Sequence, residues 1–280
     1  MNQAEVKQTA AGHLKLCKLL KYWEISKITM SHNLAYIWNF LSKNIFFVFI
    51  MFIYLMLWKN IYGQKGESIA GLTLNQIIWY LVVTELVTLS RSDIHVKINE
   101  DVKSGNIAYL LNKPYNYVLY CFSYYIGEIG LKLLTNSIIG IGIGMLFVGA
   151  LEGFNWSHTP FVLLSLAAGC TINFFIYITL ALTAFWFEDN TAFFWIYSKL
   201  VFTMGGMLIP IEFFPQWLQE ISRYLPFAYV TYVPARLAVD FSYVGFARQF
   251  PVQLLYLLVF FILSMILYGR GARNLNVNGG

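Results

Sequence analysis

The chain has 280 residues, of which 58% are hydrophobic, 18% aromatic and 12% charged, and its net charge is +5. Soluble domains carry about 25% charged residues, so this composition, with a mean hydropathy of +0.60, excludes a soluble enzyme and indicates an integral membrane protein. The positive balance points to Lys and Arg held on one side of a bilayer rather than to nucleic acid.

Cys17, Cys121 and Cys170 are far apart and form no CxxC, so neither a metal knuckle nor a redox pair is indicated. His13, His32, His95 and His158 are equally scattered, and no HExxH occurs. The first long apolar run begins near Ile45, so a cleavable signal peptide is not expected.

In chain order, a polar start leads into a predicted helix from Gly12 to Asn33. Leu16, Leu19, Leu20 and Trp23 fall on one face, with Lys15, Lys18 and Lys21 on another. That pattern describes a helix lying flat on an anionic leaflet; the alternative is the water-exposed start of the first span. The first span is predicted from Tyr36 to Trp58, with Lys43 able to snorkel. A loop over Lys59–Gly71 and a second span over Leu72–Ser90 follow. The second span carries Thr84, Glu85 and Thr88 inside it.

A polar island then runs from Arg91 to Pro114. It holds Arg91, Asp93, Lys97, Glu100, Asp101, Lys103 and Lys113. Each charge would cost roughly 2.5–3.5 kcal/mol in hydrocarbon, so the island is in water while its flanks are in lipid. The third span starts in a tyrosine cluster at Tyr115 and ends near Leu151. That is longer than the roughly 20 residues one crossing needs. Glu128 and Lys132, four apart, share a face and can pair. A boundary ion pair is favoured over an ion site. Gly140 and Gly144 suit small-xxx-small helix packing.

The fourth span is predicted over Pro160–Phe187 and the fifth over Thr191–Leu208, the latter with Ser198, Lys199 and Thr203. Prolines at 210, 215, 226 and 234 then forbid one continuous helix. A short amphipathic helix is still expected between Pro215 and Pro226, as part of a re-entrant outer segment. The last span is predicted from Pro251 to Tyr268, followed by Arg270 and Arg273. With the N-terminus inside, the positive-inside rule is met and six spans put both termini in the cytoplasm. The expected organisation is an N-terminal tail and interfacial helix (1–35), an all-α transmembrane domain (36–269, with the island at 91–114 and the re-entrant segment at 209–236), and a cytoplasmic tail (270–280).

This order of parts resembles the ABC-2 type permeases, the membrane subunits of one class of ATP-driven exporter. NEDVKSGNIAYLLNKPYN (Asn99–Asn116) is similar to their acidic–Gly–apolar pair–Pro pattern. GMLIPIEFFPQWLQEISRYLPF (Gly206–Phe227) is similar to their Pro-aromatic-Pro-Trp-Leu run ending in Leu-Pro-Phe. Leu57–Val83 looks like a subgroup often encoded as two permeases beside one ATPase. The resemblance implies a fold of six transmembrane helices with a cytoplasmic coupling helix between spans two and three and re-entrant outer helices before span six.

It further implies that Glu100, Lys103, Gly105, Asn106, Leu110, Leu111 and Pro114 form the contact with an ATP-binding cassette ATPase subunit. No GxxxxGK[ST] occurs in this sequence, so ATP and Mg belong to that partner and no cofactor to this chain. A second permease chain, a bacterial plasma membrane location and outward transport are implied as well. The path is expected along Thr84, Glu85, Thr88, Ser198, Lys199 and Thr203. The outer gate is expected at Pro210, Phe214, Pro215, Trp217 and Pro226. An amphipathic, lipidic or drug/peptide-like substrate suits such a wall. The rival readings are an ATP-independent channel or scaffold and a membrane-embedded transferase.

Overall fold

A computed structural model of the chain describes residues 20–35, 37–113, 115–187 and 189–278. The N-terminal helix α1 covers residues 20–35; the expected contributions of Lys15, Leu16, Lys18 and Leu19 lie outside the described residues. Helix α2, Ile37–Lys65, follows. It is apolar nearly all round, so periodicity does not choose its inner face. Packing does: Phe47, Met51, Trp58 and Tyr62 are buried, while Phe46, Phe49 and Ile53 are more than half exposed. α2 runs past the expected stop at Trp58 and through Gly63, and ends before Gly66, whose φ of +108° turns the chain.

The expected loop beyond it contains a hairpin. Strands β1 (Ser68–Ile69) and β2 (Leu72–Thr73) pair antiparallel. Ala70 and Gly71 between them both have positive φ, 52° and 80°, as a two-residue hairpin turn requires. Thr73 then caps α3 (Leu74–Leu89) through a reciprocal pair with Gln76. Short helices α4 (Ile94–Lys103) and α5 (Asn106–Leu111) form the polar island.

Helix α6, Tyr117–Val148, has 32 residues and is about 48 Å long, so it overreaches a hydrocarbon core of about 30 Å. Helix α7 (Thr159–Ala181) continues as a 3-10 turn to Phe185, and α8 covers Thr191–Thr203. The proline-broken segment holds α9 (Gln216–Arg223), α10 (Pro226–Val230) and α11 (Tyr232–Val239). Helix α12, Tyr243–Asn278, begins well before Pro251, which sits inside it. Arg270 and Arg273, expected in a tail, lie on its last turns.

Among the described residues, four segments are long and apolar enough to cross a membrane: Asn44–Lys65, Tyr117–Val148, Trp156–Phe185 and Tyr243–Arg273. α3 and α8, with 16 and 13 residues, extend only about 24 and 20 Å. Helix α8 ends at Thr203 rather than at the Leu208 expected for a fifth span, and Gly206 at φ +67° turns the chain beyond it.

α7 is the axis of the bundle, with α12, α11, α10 and α4 packed around it. Gly169 lets it come close to the α10–α11 backbone: a Cβ there would lie 2.8 Å from the Val230 carbonyl oxygen. A polar joint locks α12 on the same side. Gln253, fully buried, donates to the carbonyls of Ser165 (3.1 Å) and Tyr229 (3.0 Å) and accepts from Ser165 Oγ (3.0 Å). Every polar atom of its amide finds a partner there, as low dielectric demands.

Candidate functional site

The polar island folds as a helix–turn–helix platform. On α4, Ile94, Ile98 and Asp101 are buried at spacings of four and three, so one face turns into the bundle. Val96, Glu100 and Lys103 face out. Gly105 makes the turn at φ +73°, with open space around it, a conformation that side chains resist. Asn106 Nδ2 then reaches back to Asp101 Oδ1 at 2.8 Å. Asp101 Oδ2 accepts from Tyr117 Oη at 3.3 Å and lies 3.8 Å from Lys97 Nζ.

On α5, Ile107 and Leu110 are buried in the chain's own core, at 1% and 8% exposure. Leu110 therefore does not present apolar surface for docking as expected, because the turn at Gly105 sets the phase of α5 and rotates it inward. Tyr109, on the opposite side, is 60% exposed, and Lys113 Nζ lies over its ring. Glu100, Lys103 and Asn106 are exposed, as a contact surface needs. The Leu111 side chain and Pro114 lie outside the described residues.

The platform is anchored at two places. At the first, Asn99 Nδ2 donates to Asn190 Oδ1 at 2.8 Å, while Asn190 Nδ2 satisfies the Leu180 and Ala181 carbonyls at the end of α7. The His95 ring lies against Phe194 and Tyr177, with centroids 4.5 and 5.3 Å apart. Burial lowers the His95 pKa below its ordinary value, with Asp93 and Glu128 opposing.

At the second anchor, residues 90–92 are held along α6. Lys132 Nζ pairs with Glu128 Oε1 at 2.5 Å and donates to the Arg91 carbonyl at 2.8 Å. Ser92 Oγ donates to Glu128 Oε2 and accepts from the Ile94 amide at 3.2 Å. Asn136 Nδ2 donates to Ser90 Oγ at 2.9 Å. The same stripe of α6 continues through Gly140 and Gly144. A Cβ at Gly140 would lie 2.9 Å from Val82 Cγ1, and one at Gly144 would lie 2.8 Å from the Trp79 ring. Small-xxx-small packing is thus found where it was expected. The run 128, 132, 136, 140, 144 forms a single seam against α3 and its exit, charged at one end and glycine at the other.

α1 crosses the start of α6. Ser26 Oγ donates to the Ser123 carbonyl at 2.7 Å, and a Cβ at Gly127 would collide with the Ser26 carbonyl. Trp23, Ile28 and Leu34 remain exposed on α1.

The expected path residues do not form one surface. Tyr80 and Thr84 hydroxyls donate to the Gly206 and Met207 carbonyls, and Thr231 donates to Gly205 at 2.7 Å. Side chains thereby satisfy irregular backbone buried inside the bundle. Thr84 is fully buried in that role rather than lining a wall. Thr88 Oγ1 lies 3.2 Å from Met207 Sδ, and Glu85, 2% exposed, accepts from Tyr54 Oη at 3.4 Å. Ser198 meets Tyr177 Oη at 3.3 Å. Lys199 and Thr203 face outward on α8 beside Trp195 and Ile196.

In the outer segment, Pro210 is buried, Phe214 and Pro226 are half-buried, and Pro215 and Trp217 are exposed. Sequence reasoning missed the ion pair that holds this segment. Glu212 Oε1 accepts from Arg236 Nε at 2.9 Å and Tyr232 Oη at 2.7 Å, and Arg236 also pairs with Asp240 at 2.8 Å. The partners are 24 residues apart, and no local pattern couples them. Among the described residues, no three His, Cys, Asp or Glu side chains gather as a metal site requires.

Residues 48–279 match a family model described as ABC-2 family transporter protein. The chain belongs to the ABC-2 transporter family. The match runs from within α2 to the end of α12, so it includes the platform, the seam and the outer segment of this ABC-2 protein. Comparison with curated proteins gives no match. The family makes the chain a multi-pass membrane permease of an ABC transporter.

Proposed function

We propose that this permease is half of the membrane part of an exporter driven by ATP hydrolysis on separate ATPase subunits. The observation that carries the reading is the α4–α5 platform. It is pinned to α6 and α7 on its inner side, while Glu100, Lys103, Asn106 and Tyr109 face outward. Outward charges orient an encounter, and an exposed aromatic supplies contact area. A push on such a rigid hairpin moves the ends of α6, α7 and the exit of α3 together.

In this reading α3 and α8 complete six spans, their short lengths extended by the hairpin before α3 and the irregular backbone after α8. Both termini and the platform lie in the cytoplasm of a bacterial plasma membrane. α1 lies at the inner interface. ATP closes the ATPase pair, and the platform carries that motion into the bundle. Complete inversion between two transport states, from 1:99 to 99:1, needs about 5.5 kcal/mol of differential affinity.

A second permease chain faces the outward side of α8, where Lys199 and Thr203 meet the path. Thr84, Glu85 and Thr88 hold the joint between α3 and the backbone after α8, which must loosen for the path to open. Pro210, Phe214, Pro215, Trp217 and Pro226 frame the outer exit. The substrate is amphipathic, lipidic or drug/peptide-like, because aromatic and aliphatic groups surround the single cation of α8.

The test is purification of tagged chain from native membranes in mild detergent, followed by an ATPase assay. Co-purification of a P-loop subunit, lost on Tyr109→Asp, is the expected result. Recovery of the intact chain alone, under extraction that preserves other complexes, overturns the coupling claim and favours an ATP-independent channel.

A further inference from the structure

A cavity of about 340 Å³ opens between α6 and α7 at the end of the bundle away from the platform. Its floor is one stripe of α3: Trp79, Val82, Val83 and Leu86. These positions recur at spacings of three and four, so they span about 10 Å of a single helix face. Thr84 and Thr88 are on the opposite face of α3, so the cavity is separate from the path proposed above. Ile141 of α6 and Leu163 of α7 form its side walls and are 51% and 57% exposed. The cavity is therefore open sideways, at a depth where hydrocarbon surrounds the protein.

One end is polar. Glu152, Asn155 and His158 line it, and Trp79 Nε1 marks the boundary by donating to the Gly149 carbonyl at 3.2 Å. Glu152 is held in place: its Oε2 accepts from Thr73 Oγ1 at 2.9 Å, and its amide donates to Asn75 Oδ1 at 3.1 Å. A second, shallower hollow adjoins this end, shares Glu152 and adds Glu67. Neither lining includes a lysine or arginine among the described residues. An apolar slot leading to a fixed carboxylate, with no lysine or arginine in its described lining, selects a chain with a positive head. An anionic head would meet like charge.

We propose that this cleft binds one phospholipid whose head carries an ammonium group, with an acyl chain along the α3 stripe and the head at Glu152. The acyl chain fills apolar space along that floor by van der Waals packing, since a chain that already lies in hydrocarbon gains nothing from leaving water. The ammonium forms an ion pair with the carboxylate, whereas a phosphatidylglycerol head offers only neutral hydroxyl donors beside its own negative charge.

The experiment is native mass spectrometry of the delipidated full chain, offered equal amounts of phosphatidylethanolamine and phosphatidylglycerol. The wild type is expected to retain one phosphatidylethanolamine per chain, favoured about tenfold, which one charge-assisted bond supplies. Ile141→Trp fills the slot from a half-exposed position and is expected to lose the lipid. Leu163→Trp does so from the other wall, should the first variant fold poorly. Glu152→Gln keeps an acceptor for Thr73 and is expected to bind both lipids about equally. Equal retention of both lipids by the wild type, or undiminished retention in a folded tryptophan variant, overturns the proposal.

Discussion

Asn106 Nδ2 donates to Asp101 Oδ1 at 2.8 Å, closing α4 and α5 around the left-handed Gly105. Asp101 is 6% exposed, so its polar partners inside the fold are Asn106, Tyr117 and Lys97. A hydrogen bond to a charged group contributes about 1.5–3 kcal/mol. Asn106→Ala is expected to loosen the platform by that order. Gly105→Ala is expected to cost about 1–2 kcal/mol, because a Cβ disfavours positive φ even where space is free. Hydrogen exchange checks both: amides in residues 100–112 exchange faster while those of α7 do not change.

Tyr109 and Leu110 are neighbours in sequence and opposites in exposure, at 60% and 8%. Tyr109→Asp should leave the melting temperature nearly unchanged and weaken ATPase co-purification. Leu110→Asp buries an unpaired charge and should lower the melting temperature sharply. If both variants melt alike and both keep the ATPase, the outward face of α5 is not the contact.

The Glu128–Lys132 pair predicts non-additivity. Removing one member of a buried pair costs about 3–5 kcal/mol, since the other charge is left unmatched. Lys132→Met and Glu128→Gln should each destabilise strongly, and the double variant should recover part of the loss. Thermal unfolding of the four proteins in one detergent measures the coupling. Simple additivity of the two losses would show that the pair does not act as a unit.

His95 makes stability depend on pH. Burial between Tyr177 and Phe194 pushes its pKa below the ordinary 6.5, despite Asp93 and Glu128. The unfolded chain therefore takes up a proton more readily than the folded one. Its contribution is full above the unfolded value and is lost as pH falls through that value toward the folded one. Melting temperature should drop as pH falls through about 6.5 and below, and His95→Phe should flatten that drop.

Gly144 and Gly142 form a matched pair on α6. A Cβ at Gly144 would lie 2.8 Å from the Trp79 ring, while one at Gly142 would meet nothing within 4 Å. Gly144→Ala is expected to destabilise by about 1–3 kcal/mol through overpacking. Gly142→Ala should be neutral or slightly stabilising, because alanine is the better helix former. Unfolding of each variant in detergent separates the two.

Much of this was legible in the residues themselves. The polar island, the glycine spacing at 140 and 144 and the helix between Pro215 and Pro226 were each visible as local patterns. Glu128–Lys132 was also legible, since four residues bring two side chains to one helix face. The hairpin at Ala70–Gly71 and the early start of α12 were not. The first uses a non-glycine residue at positive φ, and the second carries Pro251 inside the helix, past the first turn, where a proline reads as a helix start or stop.

Composition and periodicity determined that the chain is a helical membrane protein, where its water-exposed island lies, and which residues could pair within a turn or two. Those properties depend on transfer free energy and on the 3.6-residue repeat, both local along the chain. Only the tertiary structure decided that Leu110 turns inward, that Thr84 caps the backbone after α8, that Glu212 finds Arg236, and that Ser90 and Ser92 close the seam along α6. A helix that is apolar on every side has no preferred inner face of its own. Its orientation comes from the neighbours that its small residues admit and from the buried polar groups that must each find a partner.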